Sequence, residues 1–433
     1  MYNGYLAFAG TELMNAERTE SYCANQGIGW FKGCESCDDL HLGLGDTDGY
    51  NSPIQDEASW VDADNADTWR FYGLYPLDIQ GIDDSVVTAT AIDAISDGGV
   101  VSVPRAGTRT VTVSGMLIAE DEAANTAGMN WLRGALRGSP CGPQSVGCTG
   151  DDLCFLSACP DICGDSALLT TECLDRYSWH LHKVTTIQGP TVTAKHRLND
   201  GGSVWEVAFT MVAAVPWVCG EGALAGHATS AVRDPNRFKT IRNVPTVTCP
   251  QPSAPTYRDP HCVALPKPPG MPSVALNCGA LPTNWDRYSM VIPAALVPQW
   301  GSAVPEVEII APVADPMRMV RVRFYVDPLN RFEPEYLDEC GFCSEFLITY
   351  LPPNYAINIA GMDESITMYP STYTEEQIDM KHYNAAQVVT STDNSGFEWP
   401  ALTCGSGYVL TLDVPHGAAP PREATVSIYK RWA

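Results

Sequence analysis

Residues 106–138, AGTRTVTVSGMLIAEDEAANTAGMNWLRGALRG, change period midway, and that change constrains the fold more than any other feature of the chain. Arg109, Val111 and Val113 alternate with Thr108, Thr110 and Thr112, the two-residue repeat of a half-buried β-strand. Past Gly115 the repeat lengthens. Glu120, Asp121 and Glu122 put negative charge where a helix N-terminus stabilises it, and Met129, Leu132 and Leu136 recur at helical spacing. Arg133 and Arg137 suit the last turn and Gly138 the stop. A helix is therefore predicted over Glu120–Leu136, with Trp131 and Leu132 packing under a sheet or into a neighbouring subunit.

At 433 residues the chain is long enough for two or three domains. Apolar residues make up 45%, enough for real cores, while charged residues are only 18% against about 25% in an average soluble protein. Uncharged polar residues, Gly and Pro must cover much of the surface, as in a β-rich protein with many turns. Net charge is −25, from 26 basic and 51 acidic residues, with no clustered Lys and Arg to grip phosphates. Specific nucleic-acid binding is not expected. The N-terminus has no basic leader followed by an apolar run, and nothing approaches about 18 consecutive apolar residues. Neither a secretory signal nor a membrane span is expected, so synthesis is placed in the cytoplasm. Sixteen cysteines fit a reducing compartment poorly. A particle assembled in cytoplasm and later released reconciles the two.

Along the chain, Tyr2–Phe8 reads as an opening strand. Cys23 to Asp67 reads as a long solvated insertion, with ten acidic side chains and Lys32 as its one basic residue. Regular structure returns at Trp69–Leu77. Cys141 to Cys173 reads as a second insertion, and Tyr177–Thr186 and Val204–Val215 then alternate like two strands of a meander. Ten prolines between Pro235 and Pro272 predict a semi-extended linker over 226–272. Beyond it, Glu306–Ile310, Met319–Val326, Phe346–Tyr350, Ile357–Ile359, Tyr408–Val414 and Ala424–Arg431 read as short strands of a β-sandwich. The expected organisation is a domain over 1–225, with cysteine-rich insertions at about 23–67 and 139–175, then the linker and a second domain over 273–433.

Among residues that carry chemistry the cysteines come first. Cys34 and Cys37, and Cys340 and Cys343, have the two-residue gap of a zinc half-site, while Cys141, Cys148, Cys154, Cys159, Cys163 and Cys173 crowd the second insertion. The spacings match no standard finger. Cross-linking of insertions that lack a core of their own, with Cys23 included, a structural zinc ion, and thiols that stay reduced all remain open. His180 and His182 share one face of a strand, read as half-exposed rather than metal-binding. Asp46, Asp48, Gly49 and Asn51 form an acidic loop that lacks the bidentate Glu of a calcium site. No hydrolase, zincin, P-loop or dinucleotide motif occurs, so no catalytic or cofactor-binding residue is named. Trp285, Trp300 and Trp399 suit a sandwich core better than a sugar platform.

Four places resemble the distal tail, or minor tail, proteins of long-tailed bacteriophages, particularly those infecting actinobacteria. They are Tyr5–Arg18, the Arg109–Arg137 strand and helix, Ala208–Trp217, and the pair Leu351–Ile359 and Val426–Trp432. The resemblance implies a mainly β protein: an N-terminal tail-tube-like β-sandwich with one packed helix, Trp217 closing its last strand, and a C-terminal galectin-like β-sandwich. It further implies a hexameric ring in the virion tail tip that joins tube to baseplate, touches the tail tube protein, the tail hub and other tip proteins, and lines the DNA channel. It implies no catalysis. The two cysteine-rich insertions depart from a minimal member of the family. A carbohydrate-binding module reaching host cell-surface glycans is the alternative, and a secreted glycosidase the third reading.

Overall fold

The computed structural model describes residues 2–28, 37, 40–44, 49–93, 99–102, 104–138, 150–159, 177–198, 202–229, 238–246, 282–299, 301–327, 337, 339, 341–374, 378, 382–390, 399–403 and 406–432. The chain is mainly β, built of antiparallel sheets with few helices. It divides into two compact units, one reaching residue 221 and taking in the last residues from 431, the other spanning 222–430.

In the first unit, β1 (Tyr2–Phe8), β2 (Thr11–Asn15), β3 (Phe71–Gln80), β4 (Arg109–Ala119), β5 (Asp151–Leu156), β6 (Ser178–Arg197) and β7 (Ser203–Ala213) form one antiparallel sheet. Its order is β2-β1-β5-β6-β7-β4-β3. The expected alternation in β4 holds: Arg109, Val111 and Val113 are buried, while Thr110 faces out. β4 pairs without a break against β7, from Ala119 opposite Ser203 to Arg109 opposite Ala213.

The predicted helix is α2 (Glu122–Ala135), capped by Asp121, whose carboxylate accepts from the Ala124 amide at 2.9 Å. Ala124, Gly128, Met129 and Leu132 form its buried stripe. Gly128 admits no side chain, since a Cβ there would sit 2.4 Å from the Phe71 ring. Gly138 ends the segment at φ +71, a backbone setting that glycine adopts without strain.

Three expectations change. The resemblance of Tyr5–Arg18 to the family's opening strand-turn-strand holds through Asn15, but from Ala16 to Asn25 the chain is a helix (α1) capped by Asn15. The stretch read as a solvated insertion enters the core: Tyr50, Ala58 and Trp60 are buried with Cys23. The Trp60 indole donates to the Phe71 carbonyl at 2.9 Å and meets the Trp131 ring edge-on. Third, Asp151–Leu156, inside the second expected insertion, is a central strand that pairs β1 on one side and β6 on the other. Its Leu153 and Phe155 join the core, which the surrounding cysteines masked in the sequence. A further strand, β8 (Val218–Thr229), meets β6 at Trp179 and His180.

The second unit has two sheets around one apolar core. One contains β9 (Phe238–Pro245), β10 (Asn284–Ile292), β12 (Met317–Asp327), β13 (Phe342–Leu351) and β16 (Gly407–Pro415), ordered β9-β10-β16-β12-β13. The other contains β11 (Ser302–Ile310), β14 (Tyr355–Ala360), β15 (Ser365–Pro370) and β17 (Glu423–Trp432), ordered β17-β11-β14-β15. All six strands read beyond the proline-rich stretch are present. Within that stretch Phe238–Pro245 is itself a strand, at the sheet edge where proline is tolerated. Residues 247–281, with most of the prolines, lie outside the described residues.

Candidate functional site

The first unit's sheet carries two strand edges and two buried polar centres. Among the described residues its β3 edge pairs only with β4. At the other end of the same run of strands, Thr185–Arg197 of β6 pairs with β7 alone among the described residues. Both edges carry proline, Pro76 in β3 and Pro190 in β6, each beside a break in register. Side chains along the β6 edge are mostly exposed, including Ile187, and Leu77 is exposed on β3. His196 lies 3.1 Å from Glu206, Arg197 2.8 Å from Glu122, and the Lys195 ammonium stacks 3.4 Å over Trp205. The polar side chains at the end of this edge are therefore paired within the unit.

Below the surface sits Arg109, 1% exposed. Its Nε donates to the Pro216 carbonyl at 2.8 Å, and its Nη1 donates to the carbonyls of Gly81 (2.8 Å), Ile82 (2.6 Å) and Asp84 (2.7 Å). The guanidinium ties the turn after β3 to the segment after β7. Burial lowers its pKa, and the charges of Asp84 and Asp83 oppose that.

A second polar centre lies on the sheet face opposite Leu181. His182 is buried, not half-exposed as the alternation suggested. Its Nδ1 donates to the Asp152 carboxylate at 2.8 Å. Burial pushes its pKa down, but the hydrogen bond to Asp152 and the Cys219 sulfur outweigh that and raise it to about 10. His180 is pushed the other way by burial and by the charge of His182. A histidine whose folded pKa exceeds its unfolded value of about 6.5 contributes stability fully below that value and loses it as pH rises through the folded pKa. Denaturant midpoints are therefore expected to fall between pH 7 and pH 11, and the fall should be smaller in His182→Gln. An equal pH slope in both proteins would contradict this.

In the second unit a six-residue network on β10, β12, β13, β16 and the turn before β13 is charge-balanced. Asp413, fully buried, accepts from Arg287 Nε at 2.7 Å and from Arg321 Nη2 at 2.6 Å. Arg287 also pairs with Glu339 at 2.5 Å, and Arg323 pairs with Glu339 and Glu345. Register sets this up: Asp413 lies opposite Arg287 on one side and Arg321 on the other, and Arg323 lies opposite Glu345.

The residues singled out from sequence fall as follows. Leu132 is fully buried, and Trp131 is partly buried between Trp60 and Phe71. Trp217 carries the Arg431 guanidinium 4.4 Å over its ring. Cys37 and Cys159 form a disulfide with Cα atoms 5.8 Å apart. Cys23, Cys154 and Cys343 are thiols; burial pushes Cys23 up to about 12 and Cys154 up to about 11. Cys34, Cys141, Cys148, Cys163, Cys173 and Cys340 lie outside the described residues, as do Asp46, Asp48 and Trp300. Trp285 is wholly buried, donates to Thr246 Oγ1 at 2.7 Å, and carries Arg321 4.4 Å over its ring, so no sugar can stack on it. Trp399 packs against the core. Sequence reasoning missed the salt-bridge network, whose signal was the alternation of Arg321 and Arg323 with Val320, Val322 and Phe324.

No helix among the described residues is long and apolar enough to cross a membrane, and no three metal-type side chains gather around one point. No family model matches the sequence, and no curated protein does. Among solved structures, the chain is similar to the SPP1 Dit (gp 19.1) protein, whose crystal structure is titled "a Paradigm of Hub Adsorption Apparatus in Gram-positive Infecting Phages". Identity is 8% and the TM-score 0.38, over 83% of this chain and 94% of that one, a likeness too distant to carry functional weight.

Proposed function

We propose that this chain is a structural protein of a long-tailed phage's tail tip, assembling into a ring that joins the tail tube to the tip. The observation that carries the reading is a sheet with two edges that are open among the described residues, Phe71–Gln80 and Thr185–Arg197, at opposite ends of the run β3-β4-β7-β6. Open edges offer rows of backbone donors and acceptors to another chain. Two different edges meeting head to tail make a heterologous contact, and such contacts close into rings when the rotation per copy allows. The four sequence resemblances to distal tail proteins point the same way, and a hexamer is the expected size. An excess of 25 negative charges suits a bore through which DNA slides without sticking.

Native mass spectrometry at high protein concentration tests the ring. Six copies are expected for the wild type and a shift toward monomer for Leu77→Lys, which sets a charge on the exposed β3 edge. A wild type that stays monomeric would count against the ring. Salt-sensitive DNA retention in a gel-shift assay would overturn the passive bore.

A further inference from the structure

Among the described residues one disulfide is present, joining Cys37 to Cys159 across 122 positions with Cα atoms 5.8 Å apart. Each end arrives on its own framework. The Cys37 carbonyl accepts from the Leu40 amide at 3.2 Å, at the start of a short helix, Leu40–Gly43. The His41 amide donates to one oxygen of the Glu17 carboxylate of α1 at 2.7 Å, and His41 Nδ1 meets the other at 2.5 Å. Cys159 follows β5, whose Leu156 lies opposite Tyr2 of β1 on one side and Ser178 of β6 on the other. The Ser157 amide carries the ladder on by donating to the Tyr177 carbonyl at 2.8 Å. Tyr2, Leu40 and Leu156 are buried around the bond, with Tyr5 and Leu44 packed against them.

None of these contacts needs the sulfur–sulfur bond. Hydrogen bonds to α1, pairing with β1 and β6, and apolar burial bring the two backbones within the usual disulfide range. A cross-link acts mainly on the unfolded chain, and more strongly the longer the loop it closes. It therefore adds stability to a fold specified by other means. The bond also lies within reach of small thiols, since Cys37 is fully buried but Cys159 is half-buried at the rim of the cluster.

We propose that the Cys37–Cys159 pair is a redox latch: the chain folds with both thiols reduced, and later oxidation fastens the Leu40–Gly43 helix to the end of β5. The Cys159 thiolate attacks a small disulfide such as oxidised glutathione and expels one glutathione thiolate. The Cys37 thiolate then attacks the Cys159 sulfur of the mixed disulfide and expels the second. The two protons lost by the protein end on the two glutathione thiols. Excess reduced glutathione runs the exchange backwards and opens the latch.

The test uses the full chain in two forms, reduced with a phosphine and oxidised with glutathione disulfide. Peptide mapping of the oxidised form should find Cys37 joined to Cys159, and both forms should give the same near-ultraviolet circular dichroism. Hydrogen exchange at the Leu40, His41 and Leu44 amides should be on the order of 10–100-fold slower in the oxidised form, because local opening then works against the cross-link. In the double variant Cys37→Ala, Cys159→Ser these amides should exchange fast under both conditions. Cys343→Ser, in the other unit, should follow the wild type. Loss of the near-ultraviolet signal in the reduced wild type would mean that folding needs the bond, and would overturn the proposal. Equal exchange in the two wild-type forms would overturn it as well, as would full slowing by the oxidant in the double variant.

Discussion

Replacing Asp413 with alanine should cost about 3–5 kcal/mol of folding free energy, because it leaves buried cations without their counter-charge. Arg287 and Arg321 are 2% and 1% exposed, and both bond the Asp413 carboxylate. Arg287 keeps Glu339 after the change. Arg321 keeps only the Trp285 ring among the contacts described for it. A cation over an aromatic face recovers about 1–2 kcal/mol, well short of the loss. Urea denaturation of the full chain should show the transition of the second unit moving to lower denaturant. The double variant Asp413→Leu, Arg321→Met should recover much of the loss, since a buried ion pair is often replaceable by apolar side chains of similar volume. A single variant within about 0.5 kcal/mol of wild type would mean that water reaches the network. Acid should mimic the single change. Burial raises the Asp413 pKa, but the bonds from Arg287 and Arg321 outweigh it and hold the carboxyl below its ordinary value. Its contribution is therefore present above the unfolded carboxyl pKa and lost as pH falls through the lower, folded one.

Arg109→Met should be nearly as damaging, at about 3–4 kcal/mol. Methionine fills much of the space but offers no donor, so the carbonyls of Gly81, Ile82, Asp84 and Pro216 lose their shared partner. Each unsatisfied carbonyl costs about 1–3 kcal/mol if it stays dry, and relaxation toward water keeps the total below the sum. The loss has a local signature, because the turn after β3 is released first. Limited proteolysis should cut the 81–107 region faster in the variant than in the wild type. Arg109→Lys should recover little, as a single ammonium cannot reproduce the planar fork that spans both segments. Unchanged proteolysis in Arg109→Met would show that the turn is held by other contacts.

Local chemistry in the sequence settled a good deal. The Thr-alternating run could only be a strand with Arg109, Val111 and Val113 on one side. The acidic cap, the Met129–Leu132 spacing and Gly138 fixed the helix to within two residues at its start. Short strands after residue 300 were equally legible, because alternation and turn residues act over a few positions. What the sequence left open depended on partners far away along the chain. Arg109 read as a member of a buried face, but its acceptors lie as many as 107 positions away. His182 looked half-exposed until β5 and β8 flanked it with Asp152 and Cys219. Tyr50 and Trp60 sat in a stretch whose acidic composition signalled solvent, yet they close over Phe71 and α1. Asp413 and Arg287 are 126 positions apart, and only strand register makes them neighbours. Propensity and period are properties of a few consecutive residues; the burial of a charge is decided by which strands pair, and in what register, after the chain has closed on itself.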